Sequence, residues 1–232
     1  MPGIVKEMKQ AFTLIELLVV IAIIALLMGI LLPVMSRTRI QAKVVAVNSD
    51  LNQIGLALEM YMMDNDGNVP PTRVNCMMKE NFYQLPEELA KGKYLPEPAE
   101  DEEWRGAGME DRFNKDFSYK YTAAGSLIIN LYSTTENRIW VPDGFPQRDS
   151  IEKGKYHQGI HKSPVTWVVY SIGPEFAEYE MKKMHYPVPM KTWYAPDERK
   201  GVIVRMRLKK GEHIGSFRPT EPMIDADARA GL

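Results

Sequence analysis

The sequence predicts an α+β chain: a long N-terminal helix, transmembrane in its first half and amphipathic in its second, packed against a small antiparallel β-sheet. Three observations carry this. Residues 17–35 contain no charged side chain. Immediately after them Ile40, Val44, Val47, Leu51, Ile54, Leu58 and Met62 recur at spacings of three and four, one stripe of a helix. Past a turn-forming segment at 64–71 come short runs rich in β-branched and aromatic residues, bounded by Gly, Pro or Asn.

The apolar run comes first. Residues 17–35 would span about 28 Å as a helix, close to the hydrocarbon thickness of a bilayer. One carboxylate, Glu16, stands at its start among Phe12, Thr13, Leu14, Ile15, Leu17 and Leu18. An acidic group deep in a membrane costs about 2.5–3.5 kcal/mol, so it calls for a partner, and the run contains nothing basic. Another chain, or a charge created by processing, supplies one. Cleavage between Ala11 and Phe12 exposes an α-amino group one helical turn from Glu16. Such an amine could pair with Glu16 of its own chain or of a staggered neighbour, which would neutralise both charges.

A secretory signal explains the basic Lys6 and Lys9 but not Glu16 or the length of the run. A plain single-span anchor explains the length but not Glu16. Flanking charge gives little orientation: Lys6 and Lys9 against Glu7 on one side, Arg37, Arg39 and Lys43 on the other, which weakly favours the second flank inside.

The stripe makes the second half of the rod, which from Phe12 to Met63 extends roughly 80 Å. Its distal part is expected to pack under the chain's own globular domain rather than form a free coiled coil. Gly29 and Pro33 interrupt the rod, and Pro33 is expected to kink or locally melt it. Arg39, Gln41, Lys43, Asn48, Asp50, Asn52 and Gln53 are expected on its other faces. The helix stops at Asp64-Asn65-Asp66-Gly67-Asn68-Val69-Pro70-Pro71. Asp64, Asp66 and Asn68 match the opening of a calcium loop, but Val69 and Asn75 stand where Gly and Glu are required.

In the remainder, 86–91 is read as a short helix with Pro86 at its first position, and 97–103 as a solvated acidic loop. Strands are expected at 117–122, 126–132, 138–141, 165–172 and 201–208. The alternation Val204-Arg205-Met206-Arg207-Leu208 predicts one wet face. The residues from 225 onward are read as a frayed end.

The chain has 232 residues, 25% of them charged, and a net charge of −1, which argues against a dedicated nucleic-acid binder. The single cysteine, Cys76, forms no internal disulfide and reads as a small buried residue. His157 and His161 have a metal-binding spacing only on a helix, and Gly154, Gly159 and Pro164 oppose one there. Trp104, Trp140, Trp167 and Trp193 are scattered and read as packing residues. No catalytic constellation emerges, and the chain is read as a non-enzyme.

The segment from Gln10 to Ile24 closely resembles the prepilin-type cleavage and methylation signal of type IV pilins and type II secretion pseudopilins. The resemblance implies a leader of residues 1–11, cut by a prepilin peptidase before Phe12, which is then N-methylated. Ala11 departs from the Gly of that family. Ala57–Gly67 followed by Pro70-Pro71-Thr72 looks like the spine-helix end of the major pseudopilins. Leu85, Leu89 and Lys93-Tyr94-Leu95-Pro96, then Tyr119-Lys120-Tyr121 with Gly125, and then the run from Val168 to Pro174 resemble that family's later segments.

The resemblance implies an assembly helix at 12–35, its amphipathic continuation at 36–64 and a periplasmic pilin-like domain at 65–232. It implies Glu16 as the assembly residue and Gly29 and Pro33 as points of helix flexibility. The implied partners are other pilin-like subunits, the peptidase, an inner-membrane assembly platform and the lipid bilayer. The implied location is a single inner-membrane span, then a periplasmic filament. Calcium is the one cofactor raised. Its acidic loop lacks the family's Asp-Gly here, leaving Glu175, Glu178 and Glu180 as weak candidates. Residues 127–163 and the tail past Met184 are extra relative to a minimal pseudopilin. The rival reading is a membrane-anchored periplasmic binding or enzymatic domain that never polymerises, for which Glu16 is dispensable.

Overall fold

The computed structural model describes residues 14–74, 83–99, 106–130, 133–141, 155–158, 163, 165–174 and 193–216. Cys76, Trp104, His161, the acidic loop from residue 100 to 103 and the segment from 225 lie outside them. Contacts divide the chain into two compact units, Met1–Ala42 and Lys43–Leu232.

In the first unit the described residues belong to one helix, α1 (Leu14–Asp64), whose later turns open the second unit. The helix continues through Pro33 without a break, so the expected local melting is not seen. One lost backbone bond leaves the neighbouring turns intact.

In the second unit α1 buries Val44, Val47, Leu51, Ile54 and Leu58, the stripe read from the sequence, together with Asp50, Gly55 and Ala57. Asp50, expected on a face away from the stripe, is buried with it. The helix ends as its residues dictate. The Gly67 amide donates to the Met62 carbonyl at 2.8 Å, the Asn65 side-chain amide donates to the Tyr61 carbonyl at 2.8 Å, and Asp66 takes a left-handed φ of 54°. Asp64 is engaged as well, accepting the Tyr94 hydroxyl at 2.6 Å.

Next come β1 (Thr72–Val74) and α2 (Glu87–Lys91). Pro86 is the N-cap of α2, one place earlier than expected: its ψ of 135° is extended, and the Leu89 amide donates to its carbonyl at 3.1 Å. A hairpin of β2 (Glu110–Asp111) and β3 (Asn114–Ser118) precedes β4 (Lys120–Ala123), β5 (Gly125–Ile129), β6 (Ser133–Val141) and β7 (Lys155–Gln158). His157 therefore sits on a strand. The last elements are β8 (Val165–Ser171), β9 (Ile203–Leu208) and β10 (His213–Gly215).

Two four-stranded sheets form where one was expected. The order β10-β9-β8-β4 is antiparallel throughout. The order β1-β5-β6-β7 includes a parallel pair, β1 with β5. The strand expected at 117–122 is split at Tyr119 between the hairpin and the first sheet. Long-range bonds cause the split. The Ser118 hydroxyl and amide both donate to Gln84 Oε1, and the Tyr119 hydroxyl reaches Asp50.

All seven residues of β8 are buried, so this sheet is covered on both faces. Register separates the faces. Val168, Tyr170, Val204 and Met206 join Val165, Ile172, Val202 and Ala124 in one apolar cluster, capped by Tyr83, Phe113 and Trp193. The opposite face carries Trp167, Arg205, Arg207 and His213, and it meets α1. The expected wet face of β9 is thus corrected. The alternation is as read, but the basic side chains turn onto the helix, where Glu59 and Asn52 receive them.

Candidate functional site

The candidate site is the exposed first half of α1. Every residue from Leu14 to Arg39 is exposed within the chain. Residues 17–35 carry no charge, and α1 is long and apolar enough to cross a membrane. Its apolar side chains, such as Ile15, Leu26, Leu32 and Val34, have no covering in their own chain. Exposed apolar surface on this scale is unfavourable in water and is stabilised by lipid or by other chains.

Glu16 stands in the first turn of this helix. Ala11 and Phe12, the expected cleavage and methylation residues, lie outside the described residues, as do Glu175, Glu178 and Glu180.

Gly29 and Pro33 are related as i and i+4. Pro33 has no amide to give to the Gly29 carbonyl, so the two residues share one missing helical bond. A Cβ built at Gly29 meets nothing within 4 Å. No packing inside the chain requires glycine there, while glycine in a helix interior costs about 1 kcal/mol relative to alanine. One turn on, the Thr38 hydroxyl donates to the Val34 carbonyl at 3.0 Å.

The second unit holds its own part of α1 through two polar joints that composition did not reveal. At the first, the Arg112 guanidinium donates twice to Asp50, at 2.6 and 3.1 Å, and the Tyr119 hydroxyl donates at 2.6 Å. Burial, then the bond to Asp50, raises the Tyr119 pKa far above its usual value, so the phenol stays a donor. At the second, Glu59 pairs with Arg207 at 2.7 Å and with His213 at 3.3 Å. Gly55 lies beside this joint. A Cβ on it would stand 2.7 Å from Arg205 Nε and 3.3 Å from Trp167, so this glycine lets helix and sheet approach.

A buried carboxylate ties the hairpin to the end of β8. Asp111 accepts the Ser171 hydroxyl at 2.6 Å and the amides of Phe113 and Ile172 at 3.0 and 3.2 Å. Burial raises its pKa, and these bonds together with the nearby Lys120 oppose the rise. Ser171 and Gly173 belong to the run from Val168 to Pro174 singled out in the sequence. Gly173 has φ +68° and packs so close to the Gly201 carbonyl that a Cβ would stand 1.8 Å away. No group of three or more metal-ligating side chains occurs among the described residues.

The prokaryotic N-terminal methylation motif family matches residues 8–32. The chain is 43% identical over 61 residues to "Type II secretion system core protein G" of Pseudomonas aeruginosa, covering 26% of this chain and 42% of that protein. It is 46% identical over 57 residues to "Type IV wide pilus major component PilA4" of Thermus thermophilus, covering 25% of this chain and 44% of that one. The chain spans less than half the length of these curated relatives. No solved structure matches it.

Proposed function

From a stem of the type IV pilin and pseudopilin family, we propose that this chain is a non-enzymatic structural subunit of a filament, and specifically of a type II secretion pseudopilus. The observation that carries the reading is the stem itself: a helix exposed from Leu14 to Arg39, uncharged from 17 to 35, with one carboxylate in its first turn. A lone anchor needs the apolar length but not the carboxylate.

In this reading a prepilin peptidase cuts between Ala11 and Phe12 and methylates the new amine. The chain waits in the inner membrane with its second unit in the periplasm. An assembly platform then extracts it and stacks it with other pilin-like subunits. Burial among neighbouring stems replaces lipid around residues 17–35. The amine of Phe12 pairs with Glu16 of a neighbour, which sets the register. Gly29 and Pro33 let the helix yield there as it packs.

The test is mass spectrometry of the N-terminus from cells with and without the peptidase. A mature chain beginning at methylated Phe12, absent without the peptidase, is the expected result. An intact Met1 leader in both strains would overturn processing and leave a membrane-anchored periplasmic domain that does not polymerise.

A further inference from the structure

The second joint of α1 contains a histidine whose protonation state is fixed by its neighbours. Arg205 Nη2 lies 2.9 Å from His213 Nδ1. A guanidinium only donates, so Nδ1 must accept and carries no proton. The single ring proton is then on Nε2, which faces Glu59 Oε1 at 3.3 Å. The imidazole is therefore neutral and lies between a cation on β9 and the Glu59 carboxylate on α1. The edge of the Trp167–His213 ring pair, centroids 5.4 Å apart, fixes its plane.

The surroundings oppose a second proton. Facing His213 are Glu59 from α1, Arg205 and Arg207 from β9, and the uncharged ring of Trp167 from β8. Burial, then Arg205, lowers the histidine pKa, with Arg207 adding to this and Glu59 opposing it. A proton on Nδ1 would set N–H against N–H and convert the Arg205 bond into repulsion.

β10 is poorly placed to resist that change. It has three residues, lies at the edge of its sheet and pairs only with β9. Before it the Leu208 amide donates to the Glu212 carbonyl at 2.7 Å, and beyond it the Ser216 hydroxyl accepts the Val204 amide at 3.0 Å and donates to the Val202 carbonyl at 3.2 Å, so its ends are tied to β9 while no second strand covers its outer edge.

We propose that His213 is an acid-sensitive latch: a proton taken up at Nδ1 breaks the Arg205 bond and frees the β10 edge from β9 and α1. The sign follows from linkage. The folded pKa lies below the unfolded value, so the latch is fully closed above about pH 6.5 and is lost as pH falls from there through the folded pKa.

The experiment is hydrogen exchange of the full chain in detergent at pH 7.5 and pH 5, with labelling times scaled for intrinsic exchange. In the wild type, protection of His213–Gly215 is expected to fall by about tenfold or more at the lower pH. In His213→Asn, whose side-chain oxygen accepts from Arg205 and does not titrate, protection of β10 is expected to be the same at both. Unchanged wild-type protection, or an equal loss in the variant, overturns the latch. Nitrogen NMR of wild-type His213 decides independently should the variant fail to fold. A proton on Nε2 with a midpoint below about 6.5 supports the latch, and a proton on Nδ1 or a midpoint at or above that value overturns it.

Discussion

Two glycines on one helix show how differently the halves of α1 are used. A side chain at Gly29 meets nothing within 4 Å, whereas at Gly55 it runs into Arg205 and Trp167. Before Ala42 the chain leaves its helix uncovered. After Lys43 it buries a stripe, a carboxylate and a glycine of the same helix. The sequence of the first half therefore answers to something outside the chain, lipid or other subunits. That of the second answers to the chain's own sheets.

Substitutions paired across the halves separate the two demands. The largest effect is expected from Gly55→Leu. It forces Arg205 and Trp167 apart and destabilises the second unit by about 3 kcal/mol, read from denaturant unfolding. Gly29→Leu should leave that unfolding unchanged and alter only assembly. A loss of stability in Gly29→Leu would erase the contrast.

Asp50→Ala comes next. It strands Arg112 and Tyr119 beside a buried gap, at a cost of about 2 kcal/mol. Its counterpart Glu16→Ala should cost the second unit nothing while abolishing filaments seen by electron microscopy. Filaments at normal yield would return Glu16 to an ordinary anchor residue.

Asp111→Asn leaves one acceptor oxygen for three donors and sets its amide against the Ile172 or Phe113 N–H, while relieving a buried charge. A net loss of about 1 kcal/mol is expected at pH 7. The raised pKa makes ionisation costly, so Asp111 contributes most stability below about pH 3.8 and loses it as pH rises through its folded pKa. The penalty of the variant should therefore grow towards acid pH. The smallest effect belongs to Lys91→Ala, which removes an exposed pair with Glu87 four residues earlier and should lower the melting temperature by an amount equivalent to about 0.3 kcal/mol.

The stem was legible in the sequence because its environment is uniform. Residues 17–35 are apolar and exposed throughout, so local composition carries the whole message. The buried stripe was legible for a related reason, since helical spacing alone brings Val44, Val47, Leu51, Ile54 and Leu58 to one face. β8 and β9 declared themselves by β-branched runs.

What escaped depends on contacts distant in sequence. The run 117–122 alternates like one strand, and nothing in it announces that Gln84 and Asp50 will break it at Ser118 and Tyr119. Arg205 and Arg207 alternate as on a wet face, and alternation cannot tell water from Glu59. Asp50 looks solvated until Arg112, 62 residues later, comes to meet it. Gly55 gives no sign of the close approach it permits.

The unbroken run of α1 also has a mechanical meaning. Within the second unit, a pull on α1 would be met by groups held along its length. The buried stripe from Val44 to Leu58 and the tethers at Asp50 and Glu59 lie side by side along the helix and would share such a load. In the first unit, by contrast, Gly29 and Pro33 share one missing helical bond and no side chain of the chain braces the helix there.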